Sequence, residues 1–215
     1  MQARLTFHEN KMKLLATLSV TLLVLLCPYA GAQIQINIKS DYEGGVTQHE
    51  RGNLEMAIIL FEQGTRKGDP KSMFALGSYY HFGEGVPKDQ VKARSLFEQS
   101  AAAGRAEANA MLGIIYREGQ GVSVDKLKGF AYFKAAALAC SDTAQEQLAQ
   151  MLFGGEGVKQ DKTEALAWLH VASKSKANRD AVAGVAHVSK TLSRDQVQAA
   201  ERRKAEIEKS LNCPT

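Results

Sequence analysis

Leu76-Gly77-Ser78-Tyr79-Tyr80-His81-Phe82-Gly83-Glu84-Gly85-Val86-Pro87-Lys88-Asp89 is the stretch from which the rest of this chain is read. It returns as Leu112-Gly113 through Gly119-Gln120-Gly121-Val122 to Asp125, and more loosely as Leu148-Ala149 through Gly155-Glu156-Gly157-Val158 to Asp161. Tyr80 recurs as Tyr116 and then Leu152, and Phe97 as Phe133 and then Leu169, with Phe61 one step earlier. Every step is 36 residues. A fixed period of this length is the signature of a repeat architecture, in which each unit buries its apolar face against its neighbours.

Each unit reads as two helices. Met73, Phe74, Leu76, Tyr79 and Tyr80 fall at helical spacing over residues 70–82,. The Gly-x-Gly-Val turn then reverses the chain, its glycines supplying backbone angles that other residues resist. Asp89 is placed to cap a second helix, because its carboxylate accepts the free N–H groups of the first turn. That helix runs to about Ala103 and stops at Gly104,. The matching stop one period later is Cys140, a departure from the pattern.

The LG..Y..G.GV..D blocks at 76–89 and 112–125, with their looser copy at 148–161, resemble the Sel1-like repeat, a relative of the tetratricopeptide repeat. The resemblance implies an all-α, right-handed α-solenoid of stacked antiparallel helix pairs. The repeats fall at 70–105, 106–141 and 142–177, and residues 33–69 read as a degenerate repeat whose first helix has degenerated. Residues 178–215 read as a helical cap, its last helix opened by a capping-box spacing from Ser193 to Gln196,. The third repeat departs furthest from the family, with Ala149 for the glycine and Leu152 for the tyrosine.

Residues 1–32 have the three parts of a cleavable signal peptide: Lys11 and Lys13, an apolar run from Leu14 to Leu26, and small residues at Ala30 and Ala32,. Cleavage is expected before Gln33, whether translation starts at Met1 or Met12. The run is too short for the roughly 20 apolar residues of a membrane span, and Leu26 before Cys27 speaks against lipid attachment there. Export, to a periplasm or fully outside, is the expectation. Cleavage leaves Cys140 and Cys213, which an oxidising compartment allows to pair; nothing in the sequence places them together.

Beyond residue 32 the chain holds 24 basic and 22 acidic residues. It has no concentrated basic stripe of the kind nucleic acid requires. The Gly-x-Gly loops lack the strand and lysine of a nucleotide loop, and their phase with the repeat marks them as turns. Ser123-Val124-Asp125-Lys126 and Ser173-Lys174-Ser175-Lys176 fit the S-x-x-K pattern of penicillin-interacting enzymes, without the SDN and KTG partners that pattern needs,. The four histidines that remain after cleavage are scattered, and no CxxC or ligand cluster suggests a metal or cofactor,.

No catalytic set emerges, and the resemblance implies a protein-binding adaptor or scaffold. A cell-wall-acting or β-lactam-interacting enzyme and a self-associating envelope component are the alternatives. In the tetratricopeptide fold the first helix of each pair lines the concave side. On that implication the partner-binding groove takes Lys71, Phe74, Ser78, His81 and Phe82 from the first full repeat. It takes Ile114, Arg117 and Glu118 from the second (beside Glu107 and Ala110). Gln150 and Phe153 come from the third (beside Thr143, Glu146 and Gly154). Apolar anchors with one arginine suit a protein partner.

Overall fold

The computed structural model describes residues 40–175 and 178–213. The expected signal peptide and its cleavage site lie outside these residues. The described residues form ten helices and no strand. They are α1 (Asp41–Glu50), α2 (Leu54–Arg66), α3 (Pro70–Phe82), α4 (Gln90–Ala102), α5 (Ala106–Glu118), α6 (Lys126–Leu138), α7 (Asp142–Gly154), α8 (Lys162–Ala172), α9 (Arg179–Ser189) and α10 (Arg194–Ser210). Successive helices from α1 to α9 pack as antiparallel pairs, and each pair stacks on the next.

The local signals act at the positions where they stand. Asp89, Asp125 and Asp161 each accept a hydrogen bond from the third backbone N–H of the helix that follows,. Ser193 and Gln196 close both halves of a capping box on α10,. Gly83, Gly119 and Gly155 end α3, α5 and α7 in the left-handed region, at φ +76°, +77° and +71°. The second glycine of each turn has a different task. A Cβ on Gly157 would meet the Lys126 carbonyl carbon at 2.5 Å, and one on Gly121 would meet Gln90 Cβ at 2.7 Å. Each turn thus rests on the start of the preceding pair's second helix, and only hydrogen fits between them.

The core repeats with the sequence. Phe61, Phe97, Phe133 and Leu169 are buried one beneath each pair. Phe97 and Phe133 each lie against a glycine of the facing helix: a Cβ on Gly77 or Gly113 would enter the ring of Phe97 or Phe133 at 2.8 and 2.7 Å. In the third repeat Ala149 replaces the glycine while Leu169 replaces the phenylalanine, so volume lost on one helix is restored on the other,.

Gly45 shows how the first helix within residues 33–69 departs from the repeat pattern. A Cβ there would meet Phe61 at 2.4 Å, which gives Gly45 the role of Gly77. The first helix of that pair is present as α1. It escapes the 36-residue period because residues 51–53 join it to α2, whereas residues 83–89 join α3 to α4. A turn four residues shorter shifts α1 out of phase.

The C-terminal end is irregular. α9 packs on α8 as the next first helix would, but α10 packs on α8 rather than on α9. Its tail returns along the stack: the Asn212 N–H donates to the Leu138 carbonyl at 2.8 Å, and Cys213 is disulfide-bonded to Cys140. Cys140 holds φ +67° where Gly68 and Gly104 hold +82° and +90°.

Candidate functional site

The first helices α3, α5 and α7 bring the residues proposed for the groove into corresponding places on successive pairs, but these residues differ in what they offer. Phe82, at the last position of α3, is 68% exposed, and among the described residues it is the one exposed phenylalanine, tyrosine or tryptophan. Its neighbour His81 supports it edge-on, with ring centroids 4.7 Å apart. Glu118 and Gly154 stand one and two periods later, both exposed. Lys71 is exposed, 5.7 Å from the Tyr42 ring centre. Gln150 is also exposed and donates to Glu146 at 2.8 Å.

Other members face inward. His81 is buried against Phe97, so it is removed from the contact surface. Burial, with Lys88 nearby, holds its imidazole below the ordinary range, because the charged form would lose its solvation,. Phe74 packs on Phe97 with centroids 5.5 Å apart, and the Arg105 guanidinium lies 5.1 Å from its ring centre. The Ser78 hydroxyl donates to the Phe74 carbonyl at 3.0 Å, a bond within the helix. Ile114 and Phe153 are partly buried against the C-terminal core, and Phe153 meets His187 edge-on at 5.6 Å.

Arg117 is held within the molecule. Its Nε and Nη2 donate to the two carboxylate oxygens of Glu156 at 3.1 and 3.2 Å, and its Nη1 donates to Gln147 Oε1 at 2.7 Å. Lys126 Nζ approaches the same carboxylate at 3.6 Å. The Arg117 hydrogen bonds, aided by Lys126, hold the Glu156 carboxyl below its ordinary range. A forked guanidinium–carboxylate pair fixes geometry as well as charge. Here it locks the second repeat to the third and leaves little of Arg117 for a partner.

Two further sets of residues escaped the sequence reading. Lys92 lies over Tyr80, its Nζ 4.0 Å from the ring centre and 2.6 Å from the hydroxyl, and Lys128 lies over Tyr116 at 3.9 Å. The recurrence of lysine and tyrosine at one period was available as a signal. A groove of about 860 Å³ also runs along the corners that join one pair to the next, lined among others by Lys71, Arg105, Glu107, Ser141 and Asn212. Asn212 is far away in sequence, and no pattern leads to it. Among the described residues no group of three His, Cys, Asp or Glu side chains is placed to hold a metal ion. No described helix is long and apolar enough to cross a membrane.

The Sel1 repeat model matches this chain four times, at residues 42–69, 70–104, 106–139 and 143–176. The chain belongs to the Sel1 repeat family. The first of these matches takes in α1, in accord with the part played by Gly45. Among solved structures, a Sel1 repeat protein from Oxalobacter formigenes is similar over 67% of this chain and 59% of its own, with 24% identity and a TM-score of 0.63. A protective antigen of uropathogenic Escherichia coli with an SLR fold shares 23% identity over 80% of this chain and 45% of its own, with a TM-score of 0.48. This chain therefore spans about three-fifths of the Oxalobacter protein's length and less than half of the antigen's. No curated protein matches it. The Oxalobacter likeness establishes the fold, an α-solenoid of Sel1 repeats; the identity is too low to carry more.

Proposed function

We propose that this Sel1 repeat protein is an exported adaptor that binds another protein on the concave face lined by α3, α5 and α7. The observation that carries the reading is Phe82. An exposed phenylalanine gives up burial worth roughly 2–3 kcal/mol in folding, and large aromatic side chains are the usual anchors of protein interfaces. Lys71, Glu118 and Gln150 supply a polar rim on the same set of helices. His81 and Arg117 act behind the surface, the first as a ring support and the second as a brace between repeats. The repeat fold and the exposed residues on its first helices support binding.

Export is part of the proposal. It is supported by the signal-like residues 1–32 and by the Cys140–Cys213 bond, which persists in an oxidising compartment,. The test is crosslinking of the tagged protein in its own cells, followed by fractionation and N-terminal sequencing. A protein starting at Gln33, found outside the cytoplasm and crosslinked to one specific protein that Phe82→Ser loses, is the expected result. Equal recovery of that protein with a folded Phe82→Ser variant rejects the proposed face. Retention of residues 1–32 in the cytoplasm rejects export.

A further inference from the structure

The second helix of each pair has an outward stripe that is open in the first three pairs and closed in the fourth. Ile59, Ser95 and Ala131 are exposed, whereas their counterpart Ala167 is fully buried. Gln99 and Ala135 are exposed, and their counterpart Val171 is buried. α10 makes the difference, because it lies on α8 and has no equivalent on α2, α4 or α6.

α10 packs on α8 along its length. It buries Ala200 and Ile207 and half-buries Val197. Its ion pairs are Arg203 to Glu164 and Glu208 to Lys174 at 2.9 Å, and Glu201 approaches the His170 imidazole at 3.1 Å. Each of these has an exposed member, and pairs of that kind contribute little. The remaining attachment is at the tail, through the Asn212 hydrogen bond and the Cys140–Cys213 disulfide. Cys213 is exposed, so a reductant reaches the bond without prior unfolding. Cys140 keeps a left-handed backbone that glycine holds at the two preceding corners, so the position is occupied for its sulfur and not for its backbone,.

We propose that α10 is a redox-latched cover: the Cys140–Cys213 bond holds it on α8, and reduction of the bond releases it and uncovers Ala167, Trp168 and Val171. A dithiol reductant of small-molecule or oxidoreductase type supplies two electrons and two protons. The protein disulfide becomes two thiols, and the reductant's own thiols become a disulfide. Nothing packs on α10 from beyond it in the described chain, so its release leaves the stack from α1 to α9 in place.

Trp168 is the one tryptophan of the chain, and its Nε1 donates to Glu164, the carboxylate that Arg203 grips. Hydrogen exchange and tryptophan emission are measured on the oxidised protein, on the same protein with dithiothreitol, and on Cys213→Ser. The expected result is exchange over 194–210 at least tenfold faster in the last two samples, a red shift of the emission, and unchanged exchange in α5 and α6. Unchanged exchange over 194–210 overturns the proposal. So does an equal rise in all helices, or a Cys213→Ser protein that fails to fold, because the bond is then a staple of the whole stack. Arg203→Ala, which leaves the sulfurs intact, is expected to speed α10 exchange less than reduction does; an equal or larger effect assigns the hold to the ion pair and overturns the latch.

Discussion

Arg203 on α10 grips Glu164 on α8 through two donors, Nε at 2.7 Å from Oε2 and Nη2 at 3.2 Å from Oε1. Glu164 stands where the two preceding repeats have Lys128 and Lys92, each of which lies over a tyrosine. In the third repeat that tyrosine is Leu152, so a lysine there has no ring to cover. The charge is reversed and turned toward the last helix.

Reversing this pair tests that account. Glu164→Lys is expected to destabilise α10 by about 1 kcal/mol or less, since Arg203 is nearly half exposed,. Adding Arg203→Glu restores most of the loss. A double-mutant cycle read by urea unfolding gives the coupling, and a coupling near zero contradicts the assignment.

The turn glycines differ in what a methyl group costs. Gly68→Ala meets open space, and its cost is that of a left-handed backbone alone, about 1 kcal/mol,. Gly157→Ala adds a clash with the backbone of Lys126 and Leu127, which cannot rotate away. It is expected to cost about 2 kcal/mol more than Gly68→Ala, in the range of overpacked sites. Denaturant midpoints of the two variants decide it.

Position 140 separates backbone from sulfur. Cys140→Ser and Cys140→Gly both remove the disulfide, but glycine accepts φ +67° without penalty,. Cys140→Gly is expected to be the more stable of the two by about 1 kcal/mol. Thermal unfolding under oxidising conditions gives the difference, and the reverse order disproves the backbone argument.

Acid acts in two windows. His81 has a lowered folded-state pKa, so its contribution is intact above the ordinary value of 6.5 and is lost as pH falls below it toward the folded value,. Glu156 is likewise lowered, so the brace to Arg117 is intact above 4.5 and is lost as pH falls through the folded value below that,. Stability measured from pH 8 to pH 3 is expected to decline in both windows. His170 is held low by burial as well and acts in the same upper window, so His81→Phe should shrink the upper decline and leave the lower; an unchanged upper decline shows that His81 is not a source of it.

The sequence alone determined the repeat, because a stacked solenoid makes every unit solve the same packing problem and so writes the same residues at each step. Phe97 and Phe133, the capping aspartates and the turn glycines act within one pair or between neighbours, and that local demand is visible as a period. It failed at α1, where a shorter turn moved Gly45 out of phase with Gly77. It placed Phe82 on the surface but not His81 in the core, since neighbouring positions of one helix differ by rotation and only the packed neighbour decides which is covered. Three features had no local signal: the meeting of Cys140 with Cys213, of Arg203 with Glu164, and of Arg117 with Glu156. Each joins residues at least 39 positions apart. The tertiary structure decides them, because only stacking of the pairs and the return of the C-terminal tail bring those side chains within reach.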